Sequence, residues 1–254
     1  MNCPTCQTTC RKHGKTRTGE QRFKCGTCKK TYSEPRSRLF GDMRISEDTA
    51  LTALHMLVEG SSVRSVSRIT GLHKTTLLKL LVYAGERCEK FLTRTLVNLP
   101  VEDVQADELW AYIGMKEKTK TRKGLDGSDY GDAYTFLGLE RESKLILAHH
   151  LGRRTWNDAE LFMSKLERAT TGTFQLTTDG FDGYPAAVML HLQGRADYAQ
   201  LIKEFGSDPD GQHRYSPPKI TGTEVRYINR YPDPDRVCTS HVERQNLTVR
   251  MALR

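Results

Sequence analysis

Two sets of side chains in this 254-residue sequence are of types and spacings that do chemistry. The first is a pair of CxxC knuckles, Cys3-Pro4-Thr5-Cys6 and Cys25-Gly26-Thr27-Cys28, with 18 residues between them. Each short turn bends two sulfurs toward one point, and four thiolates at this spacing suit one tetrahedral zinc ion. Cys10 and His13 lie close enough in the sequence to replace one ligand. The second set is acidic: Asp107 in VEDVQADELWAYIG (101–114), Asp179 at the end of FQLTTD (174–179), and Glu243 in SHVERQN. Carboxylates are hard oxygen donors that hold magnesium or manganese. Two such ions about 3.5–4 Å apart activate a water or hydroxyl and stabilise the leaving oxygen in phosphodiester displacement.

Each acid also has a plainer role. Asp107 suits a salt-bridged strand residue needing a cation, an Arg or a proton, because an unpaired buried charge is costly. Asp179-Gly180 reads as a turn dipeptide. Ser240-x-x-Glu243 fits a capping box. Their joint placement lifts the three above these alternatives. Glu108 and Asp182 are rivals for the first two places. Glu108, next to Asp107 on a strand, is expected to point away from it.

The elements that must position these residues follow from periodicity. Residues 101–114 are apolar on both faces, which predicts a central strand covered on both sides. A charged, Gly-rich hairpin connection is expected at 116–132, then strands at 133–139 and 144–152. A helix capped by Asn157 or Asp158, a strand at 174–179, a helix at 184–192 and a strand at 196–205 complete the alternation. Residues 206–237 carry five of the nine prolines and no period, which predicts a long loop, and 240–254 a final helix. Three early strands followed by alternating helix and strand give a mixed α/β sheet, in the element order of ribonuclease-H-like domains. In that order, the first strand, the fourth strand's end and the last helix bring acids to one edge.

Ahead of this part, residues 45–92 read as helix, short helix, Gly turn, helix, the pattern of a helix-turn-helix. The predicted inward residues are Ala50, Leu51, Leu54, Leu57 and Val58, then Val63, Val66 and Ile69, then Leu77, Leu78, Leu81 and Val82, with Cys88 in the core. The start of the third helix offers His73, Lys74, Thr75, Thr76 and Lys79 to a DNA major groove. On the final helix, Asn246 and Arg250 share a face with Glu243 at spacings of three and four, which places them as further DNA contacts. Trp110 and Trp156 suit base stacking or core packing.

Charge agrees with this division. Residues 1–44 carry 11 Lys or Arg against 3 acids, and the remainder is near balance, so the net charge of +8 sits in the N-terminal segment. A basic arm on a near-neutral body suits a polyanion. Five of the seven cysteines lie in the first 28 residues of a chain whose N-terminus has no apolar signal core, which favours metal over disulfides and a cytoplasmic location. No apolar run reaches the length of a membrane helix.

CPTC and CGTC, then ADELWAYIGMKEK, TTDGFDGY, ADYAQLIKEF and TSHVERQNLTVRMALR, resemble the bacterial insertion-sequence transposases of the insertion-sequence-one type. The resemblance covers nearly the whole chain. DELW and VERQNLTVRM are its most specific blocks. It implies a zinc ribbon (1–40), a helix-turn-helix (45–97) and a ribonuclease-H-like catalytic domain (101–254) with an Asp-Asp-Glu triad at Asp107, Asp179 and Glu243. It implies zinc at Cys3, Cys6, Cys25 and Cys28, magnesium or manganese at the triad, and double-stranded DNA as partner, with at least a homodimer on two DNA ends. The expected activity is cleavage and transfer of DNA strands. The family helix continues into a further basic segment where this chain stops at Arg254, so a shortened C-terminus is expected. A DNA-binding regulator with an inactive C-terminal domain, and a ribonuclease-H-like nuclease without strand joining, are the competing expectations.

Overall fold

Four clusters of buried side chains organise the described residues. The computed structural model describes residues 1–17, 19–33, 40–41, 43–127, 129–206 and 220–252. Part of the loop expected at 206–237, namely 207–219, and the last two residues of the expected final helix lie outside the described residues.

The N-terminal cluster gathers Cys3, Cys10, Phe23 and Cys25 beneath a small antiparallel sheet, β1 (Cys10–Lys15), β2 (Gln21–Cys25) and β3 (Thr31–Ser33). So few apolar side chains are a thin core, and a bound ion would supply much of its cohesion.

The second cluster joins Ala50 and Ala53 of α1 (Glu47–Val58), Val66 of α2 (Val63–Thr70), and Leu77 and Leu80 of α3 (Lys74–Thr95). Ser46 and Ser62 cap the first two helices by accepting from the N–H groups of Thr49 and Ser65. Gly71 ends α2 in the left-handed region (φ 72°), and His73 caps α3. Several inward assignments are corrected. Leu51, Val58, Ile69, Leu78, Leu81 and Val82 are exposed, and so is Cys88. α3 carries apolar residues on most of its circumference, so periodicity alone does not choose the buried stripe, and Leu80 takes it.

The third and largest cluster lies on a six-stranded mixed sheet of order β11-β10-β9-β5-β6-β7. β5 (Asp103–Ile113) runs antiparallel to β6 (Gly131–Glu140), which is antiparallel to β7 (Ile146–Gly152). On its other side β5 is parallel to β9 (Phe174–Thr178), and β9 to β10 (Ala196–Phe205). α5 (Trp156–Ala169) and α6 (Gly183–His191) cover one face, where Val104, Ala106 and Phe136 meet Phe162, Leu166, Tyr184 and Val188. α7 (Ser240–Ala252) packs where Leu137 and Leu139 meet Val242. A short parallel pair, β4 (Leu99–Pro100) with β8 (Thr170–Thr171), ties the end of the helical segment to α5.

Four local expectations change. β5 is buried on both faces only in its first half, and Trp110, Tyr112 and Ile113 project into solvent. The 116–132 connection contains a short helix, α4 (Glu117–Arg122). Thr155, not Asn157 or Asp158, caps α5 by accepting from the Asp158 N–H. The segment expected as loop contains β11 (Ile220–Asn229), an exposed edge strand antiparallel to β10, and a 3-10 turn at Pro234–Arg236.

Two buried polar side chains on β5 set the path of the chain from that turn into α7. Asp103 Oδ2 accepts from Arg141 Nη1 at 3.0 Å and from Arg236 Nε at 3.3 Å. Gln105 Oε1 accepts from the N–H groups of His241 (3.0 Å) and Val242 (3.2 Å), which belong to the first turn of α7. A single strand thus carries Asp107 and sets the start of the helix that carries Glu243.

Candidate functional site

The parallel register of β5 and β9 pairs Ala106 with Thr178 as its last step. The next residue on each strand is acidic, so Asp107 and Asp179 come side by side where β9 ends. Asp107, Glu108 and Asp179 each bring one carboxylate oxygen within 4.8 Å of the others. An octahedral ion with bonds of about 2.1 Å spans about 3.0–4.2 Å between its ligand oxygens, so modest side-chain rotation would bring these three to one ion.

Each acid is held differently. Asp107 Oδ2 accepts from Asn246 Nδ2 of α7 at 2.8 Å. Asp179 forms a turn, its Oδ1 accepting from the Phe181 N–H at 3.0 Å, and Gln200 braces that turn by donating to the carbonyls of Asp179 and Phe181. Arg154, in the turn between β7 and α5, bridges Glu108 and Asp179: Nε donates to Glu108 Oε2 at 3.0 Å and Nη2 to Asp179 Oδ2 at 2.9 Å. Its guanidinium lies 4.6 Å from the centre of the Phe181 ring.

Burial and crowding raise these carboxyls. Asp107 is pushed up to about 6, first by burial, then by the charge of Asp179, with Glu243 contributing. Glu108 is pushed up to about 7 by burial and by Asp179, with Tyr184 and Arg154 acting against them. Asp179 is raised for the same first reason. The Tyr184 hydroxyl is buried beside Glu108 and acts on it, yet neither that hydroxyl nor Glu108 Oε1 has a hydrogen bond of good geometry. Asn246 Oδ1 is buried and unpartnered as well. Unpartnered buried oxygens are uncommon and call for an explanation. A cation among the three converging carboxylates supplies one for Glu108 Oε1.

Glu243 stands close enough for its charge to be felt by Asp107 and Asp179, but it is outside the three-oxygen cluster. Its Oε1 pairs with Lys203 Nζ of β10 and accepts from the Thr239 hydroxyl at 2.6 Å. Two expectations about neighbours are corrected. Glu108 leaves the opposite face of β5 but is not apart from Asp107: its carboxyl belongs to the cluster, and its side chain is only 3% exposed. Asn246 does not face outward for DNA: it is buried under α7 and holds Asp107. Arg250 is exposed on α7, and Asp182 lies outside the cluster. The sequence reading missed Arg154, Gln105 and Lys203. Gln105 had one signal, its place two residues before Asp107 on the same strand face.

The four cysteines form a second constellation. Their sulfurs all lie within 4.8 Å of one another, and Cys3 Sγ is 3.6 Å from Cys28 Sγ. A tetrahedral ion with bonds of about 2.3 Å sets sulfurs about 3.8 Å apart. The Cys6 and Cys28 N–H groups point at Cys3 and Cys25 sulfurs, and the Thr8 hydroxyl beside Cys25 is the chief reason that thiol is pulled down to about 5. Cys10 is buried outside this set, and His13 is exposed. At the start of α3, His73, Lys74, Thr75 and Lys79 are exposed and Thr76 is half-buried. Among the described residues, no helix is long and apolar enough to cross a membrane.

No protein-family model matches the chain, and no curated protein matches it. Among solved structures it is similar to a piggyBac transposase in a synaptic complex with hairpin DNA, with a TM-score of 0.35 and 11% identity over 68% of this chain. The match covers 44% of that protein, so this chain spans less than half its length. A likeness at this level carries no argument about function.

Proposed function

We propose that the chain is a DNA transposase of the insertion-sequence-one type, with a ribonuclease-H-like catalytic domain that cleaves donor strands and joins the freed 3′-hydroxyls to target DNA. One observation carries this reading: Asp107 and Asp179 sit side by side at the ends of adjacent parallel strands, with Glu243 in electrostatic reach on the helix that Gln105 anchors. The strand order, with the second strand antiparallel and the fourth and fifth parallel to the first, supports the ribonuclease-H-like assignment.

In this reading, Asp107, Asp179 and Glu243 hold magnesium or manganese. That metal would supply Lewis acidity at the scissile phosphate and an activated oxygen nucleophile. Asn246 orients the Asp107 carboxylate, and Arg250 meets backbone phosphate. Cys3, Cys6, Cys25 and Cys28 bind structural zinc in a ribbon. The three-helix segment acts as a helix-turn-helix, with His73, Lys74, Thr75, Thr76 and Lys79 toward the major groove of the element's terminal repeats. Processing two ends calls for at least two copies of the chain.

A second reading, a DNA-binding regulator with an inactive C-terminal domain, draws on one feature: Lys203 and Arg154 already pair with Glu243 and Asp179. A strand-transfer assay separates the two. The full chain, labelled element ends and Mg2+ should yield joined products, and Asp107→Asn or Asp179→Asn should abolish them while leaving end binding intact. DNA binding by the wild type with no cleavage under Mg2+ or Mn2+ favours the regulator.

A further inference from the structure

Arg154 is placed unusually for an ordinary surface arginine. Two of its N–H groups engage Glu108 and Asp179, two of the three carboxylates whose oxygens converge. Its backbone is anchored from both sides. The Arg153 N–H donates to Asp158 Oδ2, and Thr155 caps α5. Only the side chain is free to leave. It covers the outer side of the cluster, 39% exposed where Glu108 beneath it is 3% exposed. The Phe181 ring provides a face along which the guanidinium can swing without losing all its contacts.

The arrangement is incomplete as an ion-pair network. One guanidinium serves only two of the three carboxyls, and Glu108 Oε1 is buried with no hydrogen bond of good geometry, the neutral Tyr184 hydroxyl being the donor beside it. Asn246 Oδ1, on the amide whose Nδ2 holds Asp107, is also buried and unpartnered. A buried pair is favourable when its remaining lone pairs are satisfied. Here they are not, and a divalent cation is the species that satisfies converging carboxylate oxygens.

Resting on the reading of the acidic cluster as a divalent-metal site, we infer that Arg154 is a built-in counter-ion that holds Glu108 and Asp179 in position until a divalent cation takes its place, and that it then turns to a substrate phosphate. Glu108 becomes a carboxylate ligand of the loaded site. Arg154 is a positioning residue in the empty site and a phosphate contact in the loaded one. A planar, permanently charged guanidinium suits both partners.

The test uses the full, zinc-loaded chain without DNA, titrated with Mn2+ while the free ion is followed by electron paramagnetic resonance. Arg154→Ala should bind Mn2+ about tenfold more tightly than wild type, the size of effect typical of residues behind metal ligands, because no internal cation competes. Arg154→Lys, which keeps the charge but bridges less well, should fall between. If Arg154→Ala does not fold, Arg154→Gln serves for the comparison. The phosphate role is read from the salt dependence of duplex binding. Arg154→Ala should lower the slope by about one when Mn2+ is present and leave it unchanged when Mn2+ is absent. Equal or weaker Mn2+ affinity in the neutral variants, no Mn2+ binding by any of the proteins, or a slope change independent of Mn2+ overturns the inference. Mn2+ exchange needs no strand cleavage. A chain that behaves as expected here and joins no DNA would therefore defeat the transposase reading alone. A chain that joins DNA with Mn2+ affinity unmoved by the substitution would defeat only the counter-ion.

Discussion

Asp107→Asn isolates the electrostatics of the carboxylate cluster. The side chain keeps its shape and still offers an oxygen to Asn246 Nδ2, but it loses the charge that burial and Asp179 disfavour. In the folded protein the Asp107 carboxyl titrates at about 6 instead of 3.8, a difference worth about 3 kcal/mol. The folded state holds this proton more tightly than the unfolded chain does. The contribution of Asp107 to stability is therefore fully present below about pH 4 and is lost as pH rises through about 6. The asparagine variant has nothing to lose there. Integrating between the two values gives an advantage for the variant of about 1 kcal/mol at pH 4.5 and about 3 kcal/mol at pH 7.5. Urea unfolding of zinc-loaded protein without added divalent metal measures it. Both tryptophans, Trp110 and Trp156, lie on the sheet and α5, so their fluorescence reports this part of the chain. With a slope of about 1–3 kcal/mol per molar urea, the midpoint should rise by roughly 1–3 M at pH 7.5, and much less at pH 4.5. An advantage that does not change with pH, or a variant less stable than wild type at pH 7.5, refutes the assignment of repulsion and burial as the dominant forces on Asp107.

Three further outcomes rest on named contacts. Cys25→Ser should reduce metal content from about one zinc per chain, with loss of the N-terminal sheet by circular dichroism and retention of the tryptophan-reported transition. Replacing Lys74 and Lys79 together by Ala should weaken duplex binding by the full chain and reduce its salt slope by about two, since each exposed lysine accounts for about one released counterion. Gln105→Ala removes both acceptor contacts to the first turn of α7. It should cost about 1–3 kcal/mol, as expected when buried donors lose their partner, and hydrogen exchange at His241 and Val242 should speed up selectively.

The elements that were legible in the sequence are those with a local signature. The CxxC knuckles fix two turns by themselves, and the sulfurs meet as their spacing predicts. The strands and helices of the sheet follow from periodicity, with ends shifted by a residue or two. What failed lacks such a signature. β11 is exposed along nearly its whole length, so no apolar alternation marks it. α4 spans six residues with none buried and leaves no helical stripe. In α3, where TTLLKLLV is apolar on several sides, only contact with α1 and α2 decides that Leu77 and Leu80 go inward while Leu78, Leu81 and Val82 stay out.

Glu108 shows where period-two reasoning stops. Alternation correctly puts Asp107 toward α7 and Glu108 toward α5 and α6, on opposite faces of β5. In the middle of a sheet that would separate their carboxyls for good. β9 ends at Thr178, however, and Asp179 leaves the sheet beside them, so no further strand stands between the two faces. Side chains from either face can reach round that end, and burial there, followed by the charge of Asp179, raises both the Asp107 and the Glu108 carboxyls. Which residue lies at the end of a neighbouring strand is set by register between segments some 70 residues apart, and a pattern along one strand carries no information about it. The same step in register that brings Asp179 to Asp107 also exposes the pair of acids to Arg154, whose own position depends on the turn after β7. Any residue able to join this cluster must therefore sit where an element ends, as Asp179 and Arg154 do, or beside such an end, as Glu108 does.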